Sequence, residues 1–215
     1  MKQRNANWPG ATICRALANA TTAALRAGGT CFFMLCFSAC TPDVRGTALR
    51  TQCQQQLAQI HSALIEYVKA HGDIPRDEHG TPSLETLRAA GFGLQNDKTP
   101  IGSRCPGAAQ GDCGQYVLNP RLLPDDLMQR STTIVACDRC ANHRSGSNGR
   151  LITVALLGHG TTVLTYLSEA EQAEWRKAFF AGDEKAAVVK IVQDTDGAES
   201  LMWYLGKEKG YVRAH

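Results

Sequence analysis

Cys137-x-x-Cys140-x-x-His143 places two thiols and an imidazole within seven residues. Thiolate and neutral imidazole are ligands of tetrahedral zinc, and this spacing lets all three reach one ion, with Cys105 or Cys113 as a fourth ligand. The same Cys-x-x-Cys is also the spacing of a redox dithiol. A third reading is structural, with Cys105, Cys113, Cys137 and Cys140 as disulfide partners. Either Cys105 and Cys113 close the glycine-rich loop between them, or pairs run across a sheet. An oxidising compartment favours bridges, and no βαβ pattern of a thioredoxin-like enzyme surrounds the motif. Asp138 beside Cys140 and His143 adds the third ingredient of a nucleophilic triad. Triads draw on separated segments, however, so no catalytic residue is assigned. His159, inside Gly158-His159-Gly160, reads as an exposed turn residue. The polar loop after His143 precedes a strand, so it offers no helix N-terminus to an anion.

The compartment follows from the first 42 residues, which hold Lys2, Arg4, Arg15 and Arg26 and no acid. A short apolar run, Cys31–Phe37, ends in Ser38 and Ala39 before Cys40. A basic leader, a short apolar core and small residues at a cut point describe an export signal. The run is half of what a bilayer-spanning helix needs. Phe37-Ser38-Ala39-Cys40 resembles the lipobox of bacterial lipoproteins, which implies cleavage before Cys40 and lipid on its thiol. Of the formal charge of +3, the leader carries +4, so the remainder is near −1 (3 − 4) and nucleic acid is not an expected partner. Residues 40–215 suffice for one core of ordinary size.

The elements that must position the cysteines begin with Gly46–Gly72. Leu49, Cys53, Leu57, Ile60, Leu64, Tyr67 and Val68 recur at steps of three and four on one helical face. Gln52, Gln55, Gln56, Gln59, His61, Glu66 and Lys69 line the other. Gly72 stands where a left-handed cap belongs, and Pro75 prevents resumption. At 1.5 Å per residue this helix is roughly 36 Å long, a spine for the rest. A short helix follows over Ser83–Ala90, with Ser83 as N-cap and Gly91 as stop. Gln115–Pro120 and Thr132–Cys137 read as strands, Pro124–Leu127 as a loop or single turn. Leu151–Leu157 and Thr162–Leu167 form a hairpin about Gly158–Thr161. Ser168 and Glu171 make a capping box opening a helix to Phe180, with Gly182 after it. Two more amphipathic helices are expected over Glu184–Gln193 and Ala198–Lys207, although Ala186–Val192 also suits a strand.

Arg50-Thr51-Gln52-Cys53, then Leu57, Ile60, Leu64, Tyr67 and His71-Gly72-Asp73-Ile74-Pro75, resembles the second half of the N-terminal helix of type IV pilin-like and pseudopilin-like proteins. Cys105-Pro106 and Tyr116-x-Leu118-Asn119-Pro120 are similar to their head region. Asn142-His143, Gly149, Gly158-His159-Gly160 and Val163 fall in step with its ending. Gly158 stands where that family usually has Asp, and the family's prepilin cleavage site and apolar half-helix are absent. The resemblance implies an α+β fold in which a long N-terminal helix packs on a small antiparallel sheet, here with C-terminal helices.

The expected organisation is a signal peptide over 1–39, a tether over 40–46, a pilin-like domain over 47–182 and a helical extension over 183–215. The expected function is a lipid-anchored cell-envelope protein facing the periplasm or exterior. It is non-catalytic, needs no cofactor and acts through contacts with other envelope proteins, as an accessory of a secretion or pilus-type system. Its membrane attachment is the lipid at Cys40, and no small-molecule substrate is expected. The alternative is a metal-binding or thiol-redox lipoprotein centred on Cys137, Cys140 and His143.

Overall fold

The computed structural model describes residues 44–95, 99–100, 104–108, 114–129, 131–144 and 150–213. The expected leader, Cys40, Cys113 and Gly149 lie outside the described residues. Everything described belongs to one compact unit, Asp43–His215.

Helix α1, Val44–His71, is 28 residues long, about 42 Å at 1.5 Å per residue. It stops where the sequence says it must: Gly72 has φ 75° and its N–H closes on the Val68 carbonyl at 2.7 Å. Its buried stripe is Cys53, Leu57, Ile60, Ala63, Leu64 and Val68. Helix α2, Leu84–Ala89, is capped by Ser83, which accepts from the Thr86 N–H. Strands β1, Leu94–Gln95, and β2, Thr99–Pro100, form a small antiparallel pair. After strand β3, Tyr116–Leu118, comes the short helix α3, Pro124–Met128, the single turn that is one of the two expectations there. Proline occupies its first turn, and the Asp126 carboxylate takes the Leu123 N–H.

Strands β4 (Ile134–Asp138), β7 (Val154–Leu157) and β8 (Thr162–Leu164) join β3 in an antiparallel sheet of order β3-β4-β7-β8. Between β4 and β7 a second antiparallel pair forms from β5, His143–Arg144, and β6, Leu151–Ile152. The sheet register makes two rows. Leu118, Ala136 and Leu156 face the core against α1, while Cys137, Ala155 and Val163 face the opposite core. A register shift between Ile134 and Ala136 is decisive, because one extra residue reverses which side chains meet α1.

Helix α4, Glu169–Phe180, covers the second face. Ser168 and Glu171 form its capping box, each accepting the other's backbone N–H. Trp175 and Phe179 stack here beside Trp203.

The tail corrects the expected C-terminal helices: residues 190–213 make a three-stranded antiparallel sheet of order β11-β10-β9. Its strands are β9, Lys190–Gln193; β10, Glu199–Tyr204; and β11, Tyr211–Arg213. The Asp194 carboxylate accepts from the Asp196 and Ala198 N–H groups, which folds a turn that a helix through 198 would break. The β-branched run before it then pairs: Ile134 donates to Ala187, and Val189 to Thr132. The molecule is thus a mixed α+β protein of helices and antiparallel sheets. No described helix is long and apolar enough to cross a membrane.

Candidate metal centre

Four side chains from four separate segments converge where α1 crosses the end of β4. Cys53 sits on the buried stripe of α1, one turn before Leu57. Asp138 is the last residue of β4, and alternation from Ala136 turns it toward α1 while Cys137 turns away. His143 opens β5, where pairing with Ile152 fixes its backbone. Cys105 follows the Arg104–Gln115 bridge and donates its N–H to the Gly114 carbonyl at 2.7 Å. All four are buried, Cys53 and Asp138 at 0% exposure, Cys105 at 3% and His143 at 4%.

Their ligating atoms all lie within 4.8 Å of one another. Cys53 Sγ donates to Asp138 Oδ1 at 3.4 Å, and Cys105 Sγ is 3.0 Å from His143 Nε2. His143 Nε2 is 3.8 Å from Asp138 Oδ2, an oxygen that is buried without a hydrogen-bond partner. Zinc bonds of about 2.0–2.3 Å at tetrahedral angles separate neighbouring ligand atoms by about 3.3–3.8 Å. These three separations lie within about half an ångström of that frame, and the rest of the set, bounded at 4.8 Å, would have to draw in around an ion.

Surrounding groups hold the ligands. A Cβ at Gly107 would sit 2.6 Å from His143 Nδ1, so only glycine lets the ring lie against this turn. Tyr116, directly opposite Asp138 in the sheet, is buried beside Cys53 and donates its hydroxyl to Gln56 at 2.8 Å. Burial first, then the charge of Cys105, raises the Asp138 pKa well above the usual carboxylate range. The hydrogen bond from Cys53 is the largest cause drawing the Cys105 thiol down to about 5, with His143 assisting. Giving that bond raises Cys53 in turn.

The sequence-derived set is regrouped by the fold. His143 belongs to the cluster. Cys137 does not: it lies in the opposite core, 1% exposed, and burial pushes its thiol up to about 12. Cys140 is disulfide-bonded, to a partner outside the described residues, so the Cys137–Cys140–His143 zinc set is not assembled. Cys105 and Cys137, expected as bridge partners, are free thiols. One is held among ionisable groups; the other faces α4. As metal ligands, Cys53 and Asp138 escape the sequence reading: the first fills an apolar stripe, and the second reads only as the acid of a triad with Cys140 and His143. The signal for Asp138 was an acid ending an otherwise apolar strand. His159 is half-buried rather than exposed, with Nδ1 3.1 Å from the Ser131 carbonyl. A side chain at Gly158 would collide with the Asp126 carbonyl, which explains why no carboxylate can stand there.

No family model, no curated protein and no solved structure matches this chain. What defines its class is therefore the geometry: a mixed α+β body built around a buried dithiol–carboxylate–imidazole cluster.

Proposed function

We propose that this protein is a non-catalytic metalloprotein of the cell envelope, in which Cys53, Cys105, Asp138 and His143 hold one zinc-class ion. The observation that carries the reading is the convergence of four ligand atoms within 4.8 Å around a carboxylate oxygen with no partner. Thiolates with imidazole select zinc over calcium or magnesium, which take oxygen ligands. Four protein ligands leave no open coordination position, so the ion's role is structural. It would tie α1 to the end of β4, to β5 and to the 104–108 turn, segments that are distant in the chain.

Lipid on Cys40 would hold this head at a membrane, where it acts through contacts with other envelope proteins. A long helix laid across an antiparallel sheet is also the arrangement of pilin-like heads, which supports an accessory role in a secretion or pilus-type system.

Metal analysis of the reduced protein, with cobalt as a spectroscopic substitute, tests the centre. One ion per chain and the visible bands of tetrahedral, thiolate-bound cobalt are expected. Both should be lost in Cys53→Ser and His143→Ala and kept in Cys137→Ser. Substoichiometric metal, or equal binding in Cys53→Ser, overturns the assignment.

A further inference from the structure

We infer that this centre, resting on the metal reading above, is also a thiol-modification site: a disulfide-class oxidant joins Cys53 to Cys105 and expels the ion. Both thiols are free, and their sulfurs lie within 4.8 Å of each other in one buried cluster. The other described cysteines offer no competing pair. Cys137 points into the opposite core and Cys140 is already bridged. The bridge on Cys140 fits a chain that meets oxidants where it works.

A disulfide needs sulfurs about 2.05 Å apart, so the two must close from their metal-binding separation. Cys53 is fixed by the helix and by Leu57 beneath it. Cys105 stands in the turn Cys105-Pro106-Gly107-Ala108, closed by the Ala108 N–H on the Cys105 carbonyl at 3.0 Å. The turn is the part that moves. The reaction balances as thiol–disulfide exchange. One thiolate attacks the oxidant's S–S bond, giving a mixed disulfide and one small thiolate. The second thiolate then displaces the other half. Two electrons pass from the cysteines to the oxidant, both released thiolates take protons from solvent, and the divalent ion leaves. Asp138 and His143 remain as a buried pair 3.8 Å apart. The new bond keeps α1 tied to the 104–108 turn but frees β5 and the end of β4 from the centre.

The test uses the full chain in detergent, with the Cys140 bridge intact and the free thiols zinc-loaded, then exposed to oxidised glutathione. The readouts are zinc release to a chromophoric chelator and peptide mapping without reductant. The expected result is one zinc released for each Cys53–Cys105 bridge, the loss of two titratable thiols, and recovery with dithiothreitol and zinc. The same release is expected in Cys137→Ser, whose ligands are intact. Zinc that stays bound with both thiols reduced overturns the switch and leaves the metal centre standing. Release accompanied by a bridge to any other cysteine also overturns it. A protein that holds no zinc before oxidant is added sinks the metal reading, and the switch with it.

Discussion

Replacing Asp138 by asparagine should move the metal-free and metal-loaded proteins in opposite directions. Without metal, the carboxyl is fully buried and Oδ2 has no partner. A buried unsatisfied polar group costs about 1–3 kcal/mol, and more when charged. Asparagine keeps the Oδ1 acceptor for Cys53 and puts a neutral amide NH2 where the ionisable oxygen stood. The metal-free variant is thus spared the cost of charging a buried group and should gain stability at pH values above the ordinary carboxylate range. With zinc, the variant lacks an anionic ligand. Residues that only support a ligand already command about 10–100-fold in affinity. The loss should therefore exceed about 1.4–2.8 kcal/mol, and each kcal/mol moves Tm by about 2–4 °C in a chain of this size.

The pH dependence carries its own sign. The folded-state pKa of Asp138 lies above its unfolded value, so the native state holds the proton longer. That contribution is complete below about pH 3.9 and is lost as pH rises. Asparagine has nothing to lose, so the metal-free difference between variant and wild type should widen from about pH 4 upward. Cys105 works the other way: its thiol is drawn down to about 5, so its contribution is complete above the ordinary thiol range and is lost as pH falls through 5. The charge of Cys105 also acts on Asp138, so losing the carboxylate eases Cys105 ionisation and adds to the same widening. Urea midpoints from pH 4 to 8 with chelator, and at neutral pH with zinc, give both comparisons. A shift of the same sign with and without zinc, or a difference flat in pH, refutes the reasoning.

Leu57→Asp or Ile60→Asp buries a carboxylate against the sheet and should cost several kcal/mol in urea unfolding, while exposed Gln55→Asp costs little. Equal costs would mean that α1 is packed otherwise. Gly107→Ala should push the His143 ring aside and weaken cobalt binding about 10–100-fold, since it disturbs a group supporting a ligand. Unchanged cobalt affinity would remove Gly107 from the site. Cys40→Ser should abolish labelled-palmitate incorporation and leave an unprocessed precursor, and unaltered labelling would discard the lipid anchor.

Local signals made much of the frame legible. The apolar stripe, Gly72 and Pro75 delimit α1 to within a few residues, and the Ser83 and Ser168 caps need only their own helices. The glycine turn at 158–160 closes β7 onto β8 as its residues suggest. The tail reads as helical because its apolar residues also suit a helical period, whereas the strand alternative over Ala186–Val192 overlaps β9, where pairing with β10 decides for strands. The site was the least legible part. Cys137-x-x-Cys140-x-x-His143 suggests one cluster, but the register shift in β4 sends Cys137 to one core and Asp138 to the other. A bulge has no reliable local signature. Nor does sequence reveal that residues 53 and 105 meet at that spot.

A second buried polar group clarifies what the first requires. Thr153, Thr165 and Gln172 lie wholly inside the protein and hydrogen-bond one another, and Arg176 donates to Thr153. Each partner's demand is met within the set, so that network holds α4 to the sheet without help. Among the described residues Trp203 carries the other orphaned side-chain atom, an indole nitrogen, but it is a neutral donor among aromatic rings. The centre at Asp138 differs in kind. It confines two thiols, a carboxylate and an imidazole, leaves one carboxylate oxygen without a partner, and packs them against Leu57 and Tyr116, where apolar side chains would cost less. Packing alone gives no reason for such a set. A divalent ion would supply one, because it would meet all four groups at once and convert the most costly contact in the core into the bond that joins its segments.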